Sequence, residues 1–593
     1  MDENTEPDTK TRHESYSLRL GLAIAIVVVM WGILIIPAML APLTKMHFMS
    51  MQLGPVFGVL FLSTWWLTTP SMRQSKRWLG LALIFLIFVT TMFLIDNSMR
   101  IAMLVQGLPA ALTLLVAGML VSGFLLKRFA TVKNRAWFGL ICFSTLMVAG
   151  LFLRTEDPDA EFAFELVPRW KPTAEDIFLS SLQNASSSDE ERLPIDPAEN
   201  ELPDHPSMSD WAEFRGPRRD GVVDDVRFRT DWKSNPPPEL WRRPIGPAWS
   251  SFCVIGPVFF TQEQRGELEV VSAYTVQHGR NIWTSETESR FEASMGGVGP
   301  RATPTYDSQR LYVTGASGLI QCLDANTGQS IWKYDLVEEL DVPLPSWGFS
   351  SSPLLHEDLA IVFAGGGEED GTIALNRDSG ELVWSAPGGN HGYSSPQLAT
   401  LHDTQQVLIS SNRGLQSLDP KTGQELWNHD WDIDVMARVT QPTVVGNTAY
   451  LGTGYGNGTR RIDISRDGDG WSTKEVWTES MKPYFNDCVY HQGYLYGFDG
   501  PIFMCLNAET GDKEWKKGRY GHGQVLLVQA MGVLLIVTEK GDLVLAKAIP
   551  DGLEEIARIP SVEGITWNHP VIADGKLFVR NAEEMVCYKL DML

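Results

Sequence analysis

Five short stretches of the chain end in Pro just before an apolar, strand-like run: Arg301-Ala-Thr-Pro304, Ser350-Ser-Ser-Pro353, Tyr393-Ser-Ser-Pro396, Val439-Thr-Gln-Pro442 and Trp567-Asn-His-Pro570. Trp249-Ser-Ser, Asn486-Asp487 and Gly521-His522 hold the corresponding places elsewhere. With their neighbours, these points gather Trp249, Arg301, Trp347, His391, Tyr393, Arg438, Asn486, Asp487, His522, Trp567, Asn568 and His569. Imidazole, guanidinium, amide and carboxylate groups beside indole and phenol faces suit the noncovalent capture of a ligand. The Ser, Thr and Asn among them serve equally to satisfy strand ends around a watery channel. No catalytic residue is assigned, because a Ser-His-Asp or Cys-His set is recognised by geometry and not by spacing. GTGYGNG (452–458) does not open a helix after a strand and reads as a glycine-rich turn. DGDG (467–470) lacks the downstream Glu of a calcium loop and fits a hairpin tip. Six cysteines without CxxC, CC or Cys-His spacing give no metal or redox motif, so no metal ligand is assigned.

The elements that must position these residues repeat. LDANTGQSIW (323–332) recurs as LNRDSGELVW (375–384), LDPKTGQELW (418–427) and LNAETGDKEW (506–515). The runs on either side of each turn alternate as strands do. Asp or Asn accepts backbone N–H bonds early in the turn, and Gly supplies the positive φ that a short hairpin needs. The Trp then lies a fixed distance along the second strand, where burying ~150–250 Å² is worth about 4–6 kcal/mol. AYTVQHGRNIW keeps Gly279 and Trp283, ISRDGDGWSTKEVW is a lengthened turn ending at Trp477, and AIPDGLEEIARI has Ile556 where Trp is expected. These positions, 283, 332, 384, 427, 477, 515 and 556, are 38 to 52 residues apart. Such a period in an all-β sequence means four-stranded blades arranged radially. The last unit ends one strand short, and PELWRRPIG with Trp241 supplies that outer strand from the start of the domain. The expected fold is an eight-bladed propeller of antiparallel blades closed by both ends of residues 241–593.

Cys322, Cys505 and Cys587 fall at one repeat position, where other copies place Ala273, Ala374 and Ser417. A slot that takes Ala, Ser or Cys wants a small side chain, so these cysteines read as packing residues.

The small residue, Leu-Asp, Thr-Gly and Trp pattern resembles the tryptophan-docking motif of the pyrroloquinoline-quinone (PQQ) propellers, over about 241–593. The resemblance implies that Trp241, Trp283, Trp332, Trp384, Trp427, Trp477 and Trp515 dock between neighbouring blades against the small residue. It also implies that first strands start at a central channel, so that the residues named at the outset ring one mouth of it as a candidate ligand site. WAEFRGPRRDG (211–221) resembles the lead-in of BamB-like proteins and is expected to pack against the propeller within a segment spanning 211–240. The longest loops between a Trp and the next first strand follow Trp283 and Trp332, 21 residues each to Pro304 and Pro353, and are the expected partner contacts.

Apolar runs at about 18–42, 53–69, 78–95, 101–126 and 136–153 each approach the ~20 residues that cross ~30 Å of hydrocarbon. Five helical spans over 18–153, after a cytoplasmic tail (1–17), are the expectation, with the second run the marginal one. Arg73, Lys76 and Arg77, and then Lys127, Arg128, Lys133 and Arg135, fall in alternate loops, which puts the N-terminus inside and the propeller outside. No ionisable residue sits mid-span, against an ion path. Residues 154–210 read as an acidic tether, since 170–209 hold nine Asp or Glu against two Lys or Arg. The net charge of -23 argues against nucleic acid as a partner.

Two functions follow. The first is a scaffold or binding propeller, BamB-like, anchored in the bacterial inner membrane with the propeller in the periplasm; membrane lipid and a protein reached through the propeller loops are its partners, and no cofactor is assigned to it. The alternative is a PQQ-dependent, quinone-linked membrane dehydrogenase of sugars or alcohols, similar in layout to membrane-bound glucose dehydrogenase, which implies PQQ and calcium. Against it, the adjacent-Cys pair of the soluble quinoprotein alcohol dehydrogenases is missing, and only Asn486, Asp487 and Arg438 offer themselves for the cofactor's calcium.

Overall fold

The computed structural model describes residues 9–40, 45–69, 73–125, 132–156, 164–185, 200–293, 296–433 and 438–593. The chain divides into two compact units, Met1–Pro172 and Thr173–Leu593. Three stretches used in the sequence reading lie outside the described residues: the tail up to residue 8, Lys127 with Arg128, and the most acidic part of the tether, 186–199.

The first unit is helical. Among the described residues four helices are long and apolar enough to cross a membrane, Leu20–Leu40, Met46–Thr68, Gln74–Leu94 and Met99–Phe124, and not the five expected. The marginal second run qualifies; the last does not. The helix there is Val132–Gly150, but its apolar part is only Arg135–Gly150, which at ~1.5 Å per residue reaches about 24 Å against the ~30 Å of a hydrocarbon core. The chain turns after Gly150, and Leu153–Thr155 pairs with Leu166–Pro168 as a hairpin, so the final apolar residues of that run are not helical. Where the last two helices cross, a Cβ on Gly118 would stand 3.1 Å from the Gly139 Cα. Two facing glycines therefore set how closely these backbones approach.

The second unit contains eight four-stranded antiparallel blades. They comprise residues 253–288, 305–335, 354–386, 397–430, 443–479, 489–519, 524–560 and 571–589, blades 1 to 8 below, with each blade's strands in sequence order. Blade 8 takes its fourth strand from Glu239–Pro244, which places Trp241 opposite Cys587 and closes the ring as expected. Blade 7 alone carries an extra strand: Val222–Val223 lies parallel to Gln524–Val528 on its inner edge.

The repeated hairpin has one geometry. Across strands three and four, Ala273 faces Trp283, Cys322 faces Trp332, Ala374 faces Trp384, Ser417 faces Trp427 and Cys505 faces Trp515. Each indole thus stands over a small side chain. Its N–H then donates to a backbone carbonyl of the next blade's hairpin: Trp241 to Val276 (2.8 Å), Trp283 to Ala325 (3.0 Å), Trp332 to Arg377 (2.9 Å), Trp384 to Pro420 (3.2 Å), Trp477 to Glu509 (3.2 Å) and Trp515 to Ile549 (3.1 Å). The turn glycine serves twice. Gly328 has φ +72°, and a Cβ there would lie 2.4 Å from the Trp283 ring, so the residue must both adopt a left-handed conformation and lie flat on the neighbour's indole. Trp427 is the exception: the next blade's turn is the lengthened one, and its N–H donates instead to Gln406 Oε1 within its own blade (2.7 Å).

Part of the expected tether is a docked helix, Ala174–Ala185. Thr173 and Asp176 form a capping box, each side chain accepting the other's backbone N–H (3.0 and 2.9 Å). Glu175 then holds the Gly266 N–H (2.8 Å) and Arg290 (3.0 Å) of blade 1 and its following loop, and Phe178 is buried beneath Arg265.

Candidate functional site

The corner residues around the central channel form three layers in chain order. The outermost is aromatic. Trp249 packs on Trp567 (ring centroids 4.7 Å apart), Trp567 on Phe485 (4.8 Å), Phe485 near His522 (6.0 Å), His522 on Tyr484 (4.8 Å) and Tyr484 on Tyr455 (4.5 Å). On the other side Trp347 packs on Tyr393 (5.1 Å), and Tyr393 on His391 (5.5 Å). The loop after blade 1 bridges the two arcs. Gly296 O accepts from Trp249 Nε1 (2.5 Å) and from Arg301 (2.8 Å), while Arg301 also lies over Phe291 at 4.6 Å. Trp249, Trp347, Phe485 and Trp567 stay partly exposed.

The middle layer is a belt of hydrogen bonds built by the residues just before each Pro. The Ser251 N–H donates to Thr303 Oγ1 (3.1 Å), Thr303 N–H to Ser352 Oγ (2.9 Å), Ser352 N–H to Ser395 Oγ (2.9 Å) and Gln441 N–H to Asp487 Oδ1 (2.6 Å). In these four pairs one blade's backbone is held by the next blade's side chain. Asn568 joins by donating to Ala248 O and Ser250 O (3.2 and 2.8 Å), and Ser251 Oγ donates to His569 O (2.7 Å).

The innermost layer comes from the lead-in. Residues 211–223 enter the channel: Trp211 pairs with Val254, the Ala212 carbonyl accepts the Tyr306 N–H (2.9 Å), and Val222–Val223 joins blade 7. Two buried arginines fix the segment. Arg219 donates to Ser352 O (3.1 Å), Pro396 O (2.7 Å) and Pro353 O, and its Nε meets Glu213 (2.6 Å). Arg215 donates to Cys488 O (3.4 Å), and its Nε lies 3.2 Å from Asp487 Oδ2. His569 Nε2 stands 3.3 Å from that same oxygen, with Phe214 edge-on to its ring at 5.1 Å. Burial would raise the Asp487 pKa, but Arg215, His569 and the Gln441 N–H outweigh it and hold the carboxyl below its ordinary value. Burial lowers His569, with Asp487 opposing.

The twelve ring residues expected from the sequence therefore separate. Trp249, Arg301, Trp347, His391, Tyr393 and Trp567 come together at the mouth; Arg438, Asn486, Asp487, His522 and Asn568 are buried in the wall, and His569 is nearly so. Arg438 is fully engaged, donating to Thr453 Oγ1 (2.8 Å), Ser411 O (2.5 Å) and Trp431 O. Asn486 Oδ1 accepts the Tyr484 N–H (2.9 Å). Sequence reasoning missed Arg215 and Arg219 as channel residues; the unusual density of arginine in FRGPRRDG, in a chain so acidic, was the available signal.

Residues 267–517 match the family model of the outer membrane protein assembly factor BamB. Over these residues the propeller carries PQQ-like repeats. The quinoprotein alcohol dehydrogenase PedH of Pseudomonas putida is 25% identical over 224 residues, 35% of this chain and 33% of that protein. BamB of Shewanella oneidensis is 27% identical over 187 residues, 29% of this chain and 43% of its own length. The match thus spans under half of either relative. Among solved structures, BamB from Moraxella catarrhalis aligns over 60% of this chain and 100% of its own at 16% identity and a TM-score of 0.45. The quinohemoprotein alcohol dehydrogenase of Comamonas testosteroni aligns over 70% and 84%, at 14% identity and a TM-score of 0.46.

A PQQ-like propeller raises the matter of PQQ and its calcium, and the donor set does not fit. Asp487 already faces Arg215 and His569 and accepts a backbone N–H, so a cation there would meet a guanidinium, and the nearby Glu539 accepts from Trp567 Nε1 (2.9 Å) and from the His522 N–H (3.1 Å). Among the described residues no group of three or more His, Cys, Asp or Glu assembles to hold a metal, and the six cysteines are unpaired.

Proposed function

We propose that this protein is a membrane-anchored binding scaffold whose PQQ-like propeller engages a protein partner on the periplasmic side of a bacterial inner membrane. One observation carries the reading: the chain's own arginine segment enters the inner channel and pairs with the ring carboxylate Asp487, which favours the aromatic mouth and the loops beside it as the surfaces for a partner. The relatives named as outer membrane assembly factors support a role in binding, and the four apolar helices support anchoring. In this reading the seven repeat tryptophans are docking elements that keep the blades in register, and the loops after Trp283 and Trp332 are the contact surface.

Two measurements test it. Pull-downs of the full chain from detergent extracts should lose their partners when both 21-residue loops are shortened; unchanged partners remove the loops from the reading. Purified protein incubated with PQQ and calcium should show no quinone absorbance band and no dye reduction by sugars or alcohols. A band with turnover would replace the scaffold by the dehydrogenase.

A further inference from the structure

The helical unit carries a cleft that none of the roles above uses. It lies where the second, third and fourth spans meet the helix Val132–Gly150, and its volume is about 220 Å³. One wall is a single stripe of the third span: Lys76, Leu79, Gly80, Leu83 and Ile84 follow one another at the three- and four-residue spacing of one helix face. Ala136, Trp137 and Leu140 form the other wall, and the buried Trp66 and Leu115 close the cleft on the inside. Leu79 and Trp137 are exposed, so the cleft faces outward from the bundle.

Packing keeps it open. A Cβ on Gly80 would lie 2.6 Å from the Trp66 ring, so that indole rests against bare backbone, and its N–H donates to Arg77 O (2.9 Å), which holds it there. Of the third span only Thr91, near its far end, is buried, so the half that carries Lys76 packs loosely against its neighbours. The hollow is smaller than the ~300–1,000 Å³ usual for a whole small molecule. Apolar along its length, it suits part of an acyl chain.

Charge selects the occupant. Lys76 ends the stripe; it is exposed and has no acidic partner among the described residues, and Arg73 and Arg77 lie within a turn of it. The helices supply no counter-charge at this end: between Glu14 and Glu156 the one Asp or Glu of the chain is Asp96, beyond the opposite end of the third span. An apolar helix seated in the cleft would leave the Lys76 ammonium unanswered, and a zwitterionic headgroup brings a cation of its own. A phosphate of net negative charge on an acyl chain meets both requirements, as in basic pockets between spans that hold acidic headgroups. We infer that this cleft binds one anionic phospholipid, with a stretch of acyl chain against Gly80, Leu83 and Ala136 and its phosphate at Lys76. The inference rests on the membrane anchoring proposed above and deepens it by naming the lipid.

The test is native mass spectrometry of the full chain, purified in detergent and titrated with phosphatidylglycerol, with phosphatidylcholine of the same acyl chains, and with inorganic phosphate. A single phosphatidylglycerol should be retained in preference to phosphatidylcholine, and phosphate alone should not bind. Lys76→Gln should weaken that retention about fivefold, the weight of one cation at a membrane surface. Arg100→Gln, which removes the same charge beyond the opposite end of the third span, should leave it unchanged. Both side chains are exposed, so neither variant threatens folding. Equal retention of the two lipids, binding of phosphate alone, or an equal response to the two variants would each overturn the site. So would selective retention seen only after residues 2–8 are removed, which would give the cations to Asp2, Glu3, Glu6 and Asp8 of the chain's own tail. Retention of the chain in the membrane pellet on alkaline extraction reads the anchoring separately, so the two failures are distinguishable.

Discussion

Arg215 and Asp487 illustrate how a single charge pair decides what the channel can be. Both side chains are almost fully buried, and each is costly without the other. Arg215→Ala should lower propeller stability by about 3–5 kcal/mol, as expected when one partner of a buried pair is left behind, measurable as earlier loss of tryptophan fluorescence on heating. The pair also sets an acid limit. The folded pKa of Asp487 lies below its unfolded value, so its stabilisation is complete above the ordinary carboxylate range and is lost as pH falls through the depressed folded value. Wild type should therefore lose the pair's contribution below about pH 4, while Arg215→Ala shows a weaker acid-side loss. Glu269 has the opposite sign. Burial pushes it up to about 7, only partly opposed by the Ala316 N–H and by Arg301. Its contribution is intact below the unfolded value near 4.5 and declines as pH rises through 7. Glu269→Gln should thus stabilise the propeller by about 3 kcal/mol at pH 8 and hardly at pH 4, read from melting temperatures at the two pH values.

At the scale of the element, the hairpin explains why most of the fold was legible. A cross-strand small residue, a positive-φ glycine and an indole are local signals, and their spacing alone gave the blades and the closing strand at Trp241. What was not legible is non-local. Of the candidate ring residues, Arg438 and Asp487 are engaged by partners distant in sequence: Arg438 by Ser411, and Asp487 by Arg215, which arrives from the lead-in. Nothing in the spacing of either residue tells which partner comes to it. The last apolar run misled for a different reason, since hydropathy does not register that Gly150 ends the helix and that the next residues pair as a strand. The hairpin also separates two glycine roles that a sequence cannot distinguish. Gly328 and Gly446 both have positive φ, +72° and +57°, but a Cβ on Gly328 meets Trp283 at 2.4 Å whereas one on Gly446 meets nothing within 4 Å. Gly446→Ala should cost about 1 kcal/mol of backbone strain. Gly328→Ala adds overpacking of about 1–3 kcal/mol and should displace the indole. Denaturation midpoints, with the Trp283 fluorescence of the folded proteins, distinguish them; equal losses would mean that the inter-blade contact carries no weight.

For the whole molecule, the open matter is the side of the membrane on which a closed ring of eight blades works. The ring is sealed by its own first strand, and the lead-in both fills the channel and adds a strand to blade 7, so the propeller's order is internal to residues 173–593. Its location depends on the helices, and there two physical rules pull in opposite directions. Arg73, Lys76 and Arg77 between the second and third spans favour that loop inside, which keeps the N-terminus inside as well. Four crossings would then return the chain to the cytoplasm, because an even number leaves both ends of the bundle on one side. A periplasmic propeller needs either an external N-terminus, against the charge rule, or insertion of the helix Val132–Gly150, whose apolar part, Arg135–Gly150, is shorter than the hydrocarbon is thick. Fusions after residue 156 decide the matter without reference to the count. Alkaline phosphatase, which matures only outside the cytoplasm, should be active there, and green fluorescent protein, exported in this way, should be dark. The same pair fused ahead of residue 9 then reports which of the two rules yields. A fluorescent, phosphatase-inactive fusion at 156 would put the propeller in the cytoplasm and end the periplasmic reading, whatever the propeller is found to bind.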